Sequence, residues 1–223
     1  MILNEFIFFL HVCAITISIA WATYFGERAL ITLITIFIVL ANLFVTQTIT
    51  LVGFTATSSD VFTVGCGLAL LMLQEKYGKN VAQKAVWISF GGLIITLVLA
   101  QFHLWYLPAA TDFARPAFNT ILGYTPRIFC ASIFAYIISQ YANIFLYSWL
   151  QKRALFIPTV IKTYLILASS NLLDTLVFSV VGLYGVISPL SSIIFVSYAI
   201  KIITVFLTVP LSKLFLRITH SLK

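Results

Sequence analysis

Long apolar runs separated by short basic segments constrain this chain more than any other feature. FIFFLHVCAITISIAWATYF near the start and SSIIFVSYAIKIITVFLTVPL near the end are two of them. A helix of about 20 such residues crosses the hydrocarbon core of a bilayer. Lipid offers no partner to backbone N–H and C=O groups, so a spanning segment must satisfy them internally. Of the 223 residues, 61% are hydrophobic and 9% charged, where a soluble domain carries about a quarter charged. The chain reads as an all-α integral membrane protein, a compact bundle of six to seven transmembrane helices.

Seven apolar segments can be drawn, near 6–25, 29–52, 56–74, 85–106, 125–149, 163–183 and 191–212. The third is strongly apolar only from Val61 to Leu73, and a full span and a re-entrant helix are both open there. Ser58, Ser59 and Asp60 read as its N-cap. No repeat or linker interrupts the pattern, so 1–223 is taken as one transmembrane domain. The amino terminus lacks the basic region of a signal peptide and is read as a retained first span.

The formal net charge is +7, but the basic residues cluster at span ends. Lys76, Lys79 and Lys84 form one group, Lys152, Arg153 and Lys162 another, and Lys213, Arg217 and Lys223 a third. This is the pattern of cytoplasmic loops and not of a phosphate-tracking surface, so no nucleic-acid partner is expected. With seven crossings the N-terminus lies outside and the C-terminus inside. Cys13, Cys66 and Cys130 fall in apolar runs, and His11, His103 and His220 are scattered without ligand spacing. Neither a disulfide framework nor a metal site follows.

Two ionisable residues interrupt the apolar runs near their middles, Asp174 in the sixth segment and Lys201 in the seventh. A charge at the centre of a spanning helix costs about 2.5–3.5 kcal/mol on insertion scales. Such groups pair, face a polar cavity, or handle a substrate. An ion pair that merely locks two helices and a binding site inside the bundle are both open readings.

Asn171 stands three residues before Asp174 and shares its helical face. In the fifth segment Ser132, Tyr136, Gln140, Asn143 and Tyr147 recur every three or four residues, which makes one polar stripe. It either lines a cavity or supplies hydrogen bonds between helices. Arg127 begins near that stripe and must snorkel, pair or bind an acceptor. Asn42, Thr46 and Thr50 form a similar face in the second segment. Glu75 precedes Lys79 by four residues, so a surface ion pair competes with a site role. Gly65 and Gly67 suggest close helix packing. No nucleophile triad, phosphate-binding glycine loop or cofactor motif is present in the sequence, so an enzyme is not expected.

In order, ANLFVTQTITLVG (41–53), QEKYG with AQKAVW (74–87), PRIFCASIFAYIISQ (126–140), NLLDTLVF (171–178) and SYAIKIITVFLTVP (197–210) resemble the queuosine precursor transporter family, also called the vitamin uptake transporter family. At Leu71 the chain departs from it, since many relatives carry an acid one turn before the EKYG-type motif. The resemblance implies import of a 7-deazaguanine (preQ0, preQ1 or the queuine base) across the bacterial inner membrane, for tRNA modification. It implies a small-molecule substrate and a lipid bilayer as partners, and leaves a homo-oligomer open. On this reading Asp174 and Asn171 meet the donor edge of the ring, and Arg127, Lys201 or an amide meets its carbonyl. Asn42, Gln140, Asn143 and Glu75 complete the candidate set. The alternative is the substrate-binding subunit of an energy-coupling-factor-type importer of vitamins or nucleobases, which requires an energy-coupling module. A structural protein whose buried charges only dock helices is the rival from another class.

Overall fold

Two glycines set the tight breaks between successive helices. The computed structural model describes residues 2–45, 47–123, 126–185 and 190–221; Thr46, Thr125 and Lys223 lie outside them. Helix α1 (Ile2–Phe25) is followed by α2 (Glu27–Leu43), and α3 (Asp60–Tyr77) by α4 (Lys79–Trp105). Gly26 and Gly78 between them have φ of 102° and 90°, a region that costs a Cβ-bearing residue energy. Their N–H groups donate to Ala22 O and Gln74 O, which closes the preceding turns. The chain continues through α5 (Arg115–Leu122), α6 (Pro126–Arg153), α7 (Thr159–Phe178) and α8 (Leu190–Ser221). One π-helical turn, Ser179–Leu183, extends α7.

The second segment, read as apolar to residue 52, does not stay helical that far. Helix α2 ends at Leu43, and the chain turns into an antiparallel hairpin of β1 (Thr48–Leu51) and β2 (Phe54–Thr57). Threonine and isoleucine favour the pleated conformation. Val52 and Gly53 make the two-residue turn, both with positive φ (49° and 84°), as hairpins of this length require. Thr50 therefore sits on a strand and cannot share a helical face with Asn42. Asn4 Nδ2 donates to Thr50 O at 3.0 Å, and the Val52 N–H donates to Glu5 Oε1 at 2.9 Å. The hairpin is thus tied to the first turns of α1.

Helix α3 is the axis of the molecule. Every residue from Val64 to Gln74 is buried, and it packs against α1, α2, α4, α6, α7 and α8. Small residues permit that crowding. A Cβ on Gly65 would stand 2.8 Å from Ile15 Cγ2, and one on Gly67 3.2 Å from Leu167 Cδ2. The outer helices turn large apolar side chains outward, Trp21, Ile95, Phe145, Phe195 and Phe206 among them, as lipid contact requires.

Among the described residues five helices are long and apolar enough to cross a membrane: Leu3–Phe25, Lys79–Trp105, Cys130–Arg153, Thr159–Gly182 and Ile193–Ser212. Helices α2 and α3, of 17 and 18 residues, complete the bundle. At 1.5 Å per residue an 18-residue helix is about 27 Å long. Ser59 occupies the N-cap position of α3 but makes no capping bond; its Oγ donates to Thr57 Oγ1 instead. The expected cap is absent because Ser59 has helical dihedrals (φ −72°, ψ −20°), whereas a capping residue is extended.

Candidate functional site

Three helices bring their charges to one point. Lys201 Nζ of α8 lies 2.7 Å from Asp174 Oδ2 of α7 and 3.6 Å from Asp60 Oδ1 at the start of α3. It also donates to Thr175 Oγ1 at 3.0 Å. The side chains of Lys201 and Asp60 are 4% and 6% exposed, and that of Asp174 is 16% exposed. The Ser197 hydroxyl, one helical turn before Lys201, reaches both Asp60 oxygens at 3.1 Å. On the far side the Ser139 hydroxyl of α6 donates to Asp174 Oδ1 at 3.4 Å.

Asp60, Asp174, Thr175, Ser197 and Lys201 line a cavity of about 120 Å³. That is room for several waters or for a flat small molecule. Helix α2 contributes Ile38, Ala41 and Asn42; α6 contributes Tyr136 and Gln140; Thr57 of the hairpin closes one edge. The lining is largely apolar with a few convergent polar groups, the usual build of a small-molecule site. Gln140 is 5% exposed, and its Oε1 is buried with no hydrogen-bond partner among the described residues. Asn42 donates to Ile38 O on its own helix at 2.9 Å. Phe178 and Ser179 line the cavity where α7 passes into its π-helical turn, a distortion frequent at functional sites.

Four of the residues singled out from sequence come together here: Asn42, Gln140, Asp174 and Lys201. The other four stand elsewhere. Arg127 is exposed and donates through Nε to Val181 O at 2.8 Å and through Nη2 to Tyr184 O at 2.6 Å, so its fork closes the end of the π-helical turn. Asn143 donates to Gly67 O at 3.0 Å, a contact that α3 permits because Gly67 has no side chain. Asn171 turns back onto Leu167 O at 2.8 Å. Glu75 is exposed near the opposite end of α3, and among the described residues it forms no ion pair.

Asp60 is the residue that sequence reasoning misread. Beside two serines at the head of an apolar run, it has the signature of a helix cap. In space the head of α3 lies within the bundle, because the hairpin occupies the level between it and the end of α2. An acid with cap spacing followed by 13 apolar or small residues, DVFTVGCGLALLML, was the available signal. Such a helix has no polar face to leave in solvent.

The chain is similar to known proteins over most of its length. Residues 57–215 match the family described as "Putative vitamin uptake transporter". A Bacillus subtilis (strain 168) protein named "Probable queuosine precursor transporter" is 33% identical over 188 residues, which is 82% of this chain and 80% of that protein. No solved structure gives a significant match. The chain belongs to the queuosine precursor transporter family, also called the vitamin uptake transporter family, of multi-pass membrane transporters.

Proposed function

We propose that this protein imports a queuosine precursor, a 7-deazaguanine, across the bacterial cytoplasmic membrane for use in tRNA modification. The cavity beside Asp174 and Lys201 is its binding site. The observation that carries this reading is a largely buried carboxylate, a buried ammonium and an amide oxygen unpartnered among the described residues, around one small cavity in the bundle. A 7-deazaguanine offers N–H donors along its pyrimidine edge and a carbonyl acceptor beside them. Asp174 and Gln140 Oε1 accept from the donors, Lys201 donates to the carbonyl, and Asn42 and Tyr136 flank the ring. Asp60 and Ser197 hold Lys201 and extend the polar wall. Arg127 ties α6 to the end of the π-helical turn and Asn143 ties α6 to α3, while Asn171 bonds within α7, all outside the cavity.

Orientation supports uptake. Lys76, Lys79, Lys84, Lys152, Arg153 and Lys162 lie at the end of the bundle away from the cavity, the cytoplasmic end by the positive-inside rule. The cavity then faces outward, where a precursor arrives.

The test is complementation in a bacterium that can neither make nor import queuosine precursors, fed each 7-deazaguanine separately at low concentration. The parent chain restores queuosine in tRNA. Failure with every precursor, at normal membrane abundance, contradicts the reading.

A further inference from the structure

The charges of the cavity do not balance. Among the described residues its charged lining groups are Asp60 on α3, Asp174 on α7 and Lys201 on α8, and none enters it from α2, α6 or the hairpin. With all three ionised, two carboxylates face one ammonium, a surplus of one negative charge in a buried site. Lys201 spends two of its three donors on Asp174 and Thr175 and reaches Asp60 only at 3.6 Å. Among the described residues Asp60 receives only neutral hydroxyls at hydrogen-bond distance, those of Ser197 and Thr57. A second observation has the same sign. Gln140 Oε1, on the α6 side, is an acceptor without a donor. The cavity is short of donors and short of positive charge together.

An ammonium supplies the missing positive charge, with three donors and no acceptor, while the N–H edge of the ring supplies the donor for Gln140. We infer that the site takes its ligand as a cation, a 7-deazaguanine bearing a protonated aminomethyl arm, in preference to the uncharged bases of the same ring. This rests on the binding reading above. The arm lies toward Asp60 and Ser197, and the pyrimidine edge toward Asp174 and Gln140. A cationic ligand is also drawn inward by an inside-negative membrane potential, which supplies a driving force without a coupled ion.

Calorimetric titration of the purified full-length protein at fixed salt and neutral pH tests this, with three probes that differ only at C7. They carry aminomethyl, hydroxymethyl and cyano groups; the hydroxymethyl probe nearly matches the first in shape without its charge. The expected result is binding of the aminomethyl probe about tenfold or more tightly than either neutral one, after the desolvation of an ammonium is set against its pairing. In Asp60→Asn the preference falls to within about threefold, because the surplus charge is gone. Equal or tighter binding of a neutral probe by the parent overturns the inference while the import reading stands. Neutral-probe binding with an enthalpy that depends on the buffer overturns it too, since a proton then fills the deficit. Absence of binding by all three probes overturns both readings. The parent comparison decides the matter even if Asp60→Asn does not fold.

Discussion

Two polar layers cross the core of this bundle, and they use similar residues to different ends. Between α3 and α6 the layer is neutral and its amide nitrogens are spent on the facing helix, although Gln74 Oε1 and Asn143 Oδ1 have no partner among the described residues. Asn143 donates to Gly67 O, and Gln74 donates to Ile144 O and Ser148 Oγ. Between α3, α7 and α8 the layer carries ionisable groups and borders a cavity, with Asp60, Asp174 and Lys201 on its wall. An amide donor spent on a neighbouring backbone carbonyl fixes the distance between two helices. A charge beside space for a ligand retains chemistry to offer. Residue type alone does not separate the two cases: Asn143 and Gln140 lie on one helix, three residues apart, yet only Gln140 lines the cavity.

The comparison can be broken by exchanging the two kinds of layer. The largest effect is expected from Lys201→Met, which strands the buried carboxylate of Asp60 and the partly buried one of Asp174. Removing one partner of a buried pair costs about 3–5 kcal/mol, so thermal melting in detergent and membrane abundance both fall, and uptake disappears. Adding Asp60→Asn and Asp174→Asn to that variant restores the fold but not uptake, which separates docking from binding. Next is Asn143→Leu, which removes the tie to Gly67 O. A stability loss of about 0.5–1.5 kcal/mol is expected, with the dissociation constant of a 7-deazaguanine unchanged; a weakened affinity would merge the two layers. Gln140→Leu predicts the reverse. Affinity falls about threefold to tenfold with the loss of one acceptor, while the melting temperature holds, because the deleted Oε1 has no partner to lose. The smallest effect belongs to Glu75→Gln, an exposed side chain far from the cavity. Stability stays within about 0.5 kcal/mol, and uptake is unchanged.

The bundle was legible in the chain because runs of bilayer length admit few other structures. The hairpin was not. The stretch VTQTITLVGFTAT follows α2 without a polar break, so hydropathy carries the helix past its end. The β-branched residues and the Val52–Gly53 turn were the signal to weigh instead. Asp174 and Lys201 were legible because their cost in mid-span demands an explanation. Asp60 was hidden by its place at a segment boundary, where carboxylates are ordinary caps. Arg127 shows the same limit from the other side. Its position beside a polar stripe suggested the cavity, yet its guanidinium is engaged by Val181 O and Tyr184 O. Which neighbour a long side chain meets depends on helix ends that sequence locates only to within a turn. Leu71, where the chain departs from the family pattern, is buried in the core and does not line the cavity.

The central claim is that this cavity carries a 7-deazaguanine through the membrane. Its most direct test is uptake of a radiolabelled 7-deazaguanine into liposomes that contain only this chain, set against Asp174→Asn at equal reconstitution. The prediction is saturable uptake without ATP or a partner module, reduced about tenfold or more per folded transporter in the variant. Uptake undiminished by Asp174→Asn, or none by the parent until an ATPase module is added, would contradict the account.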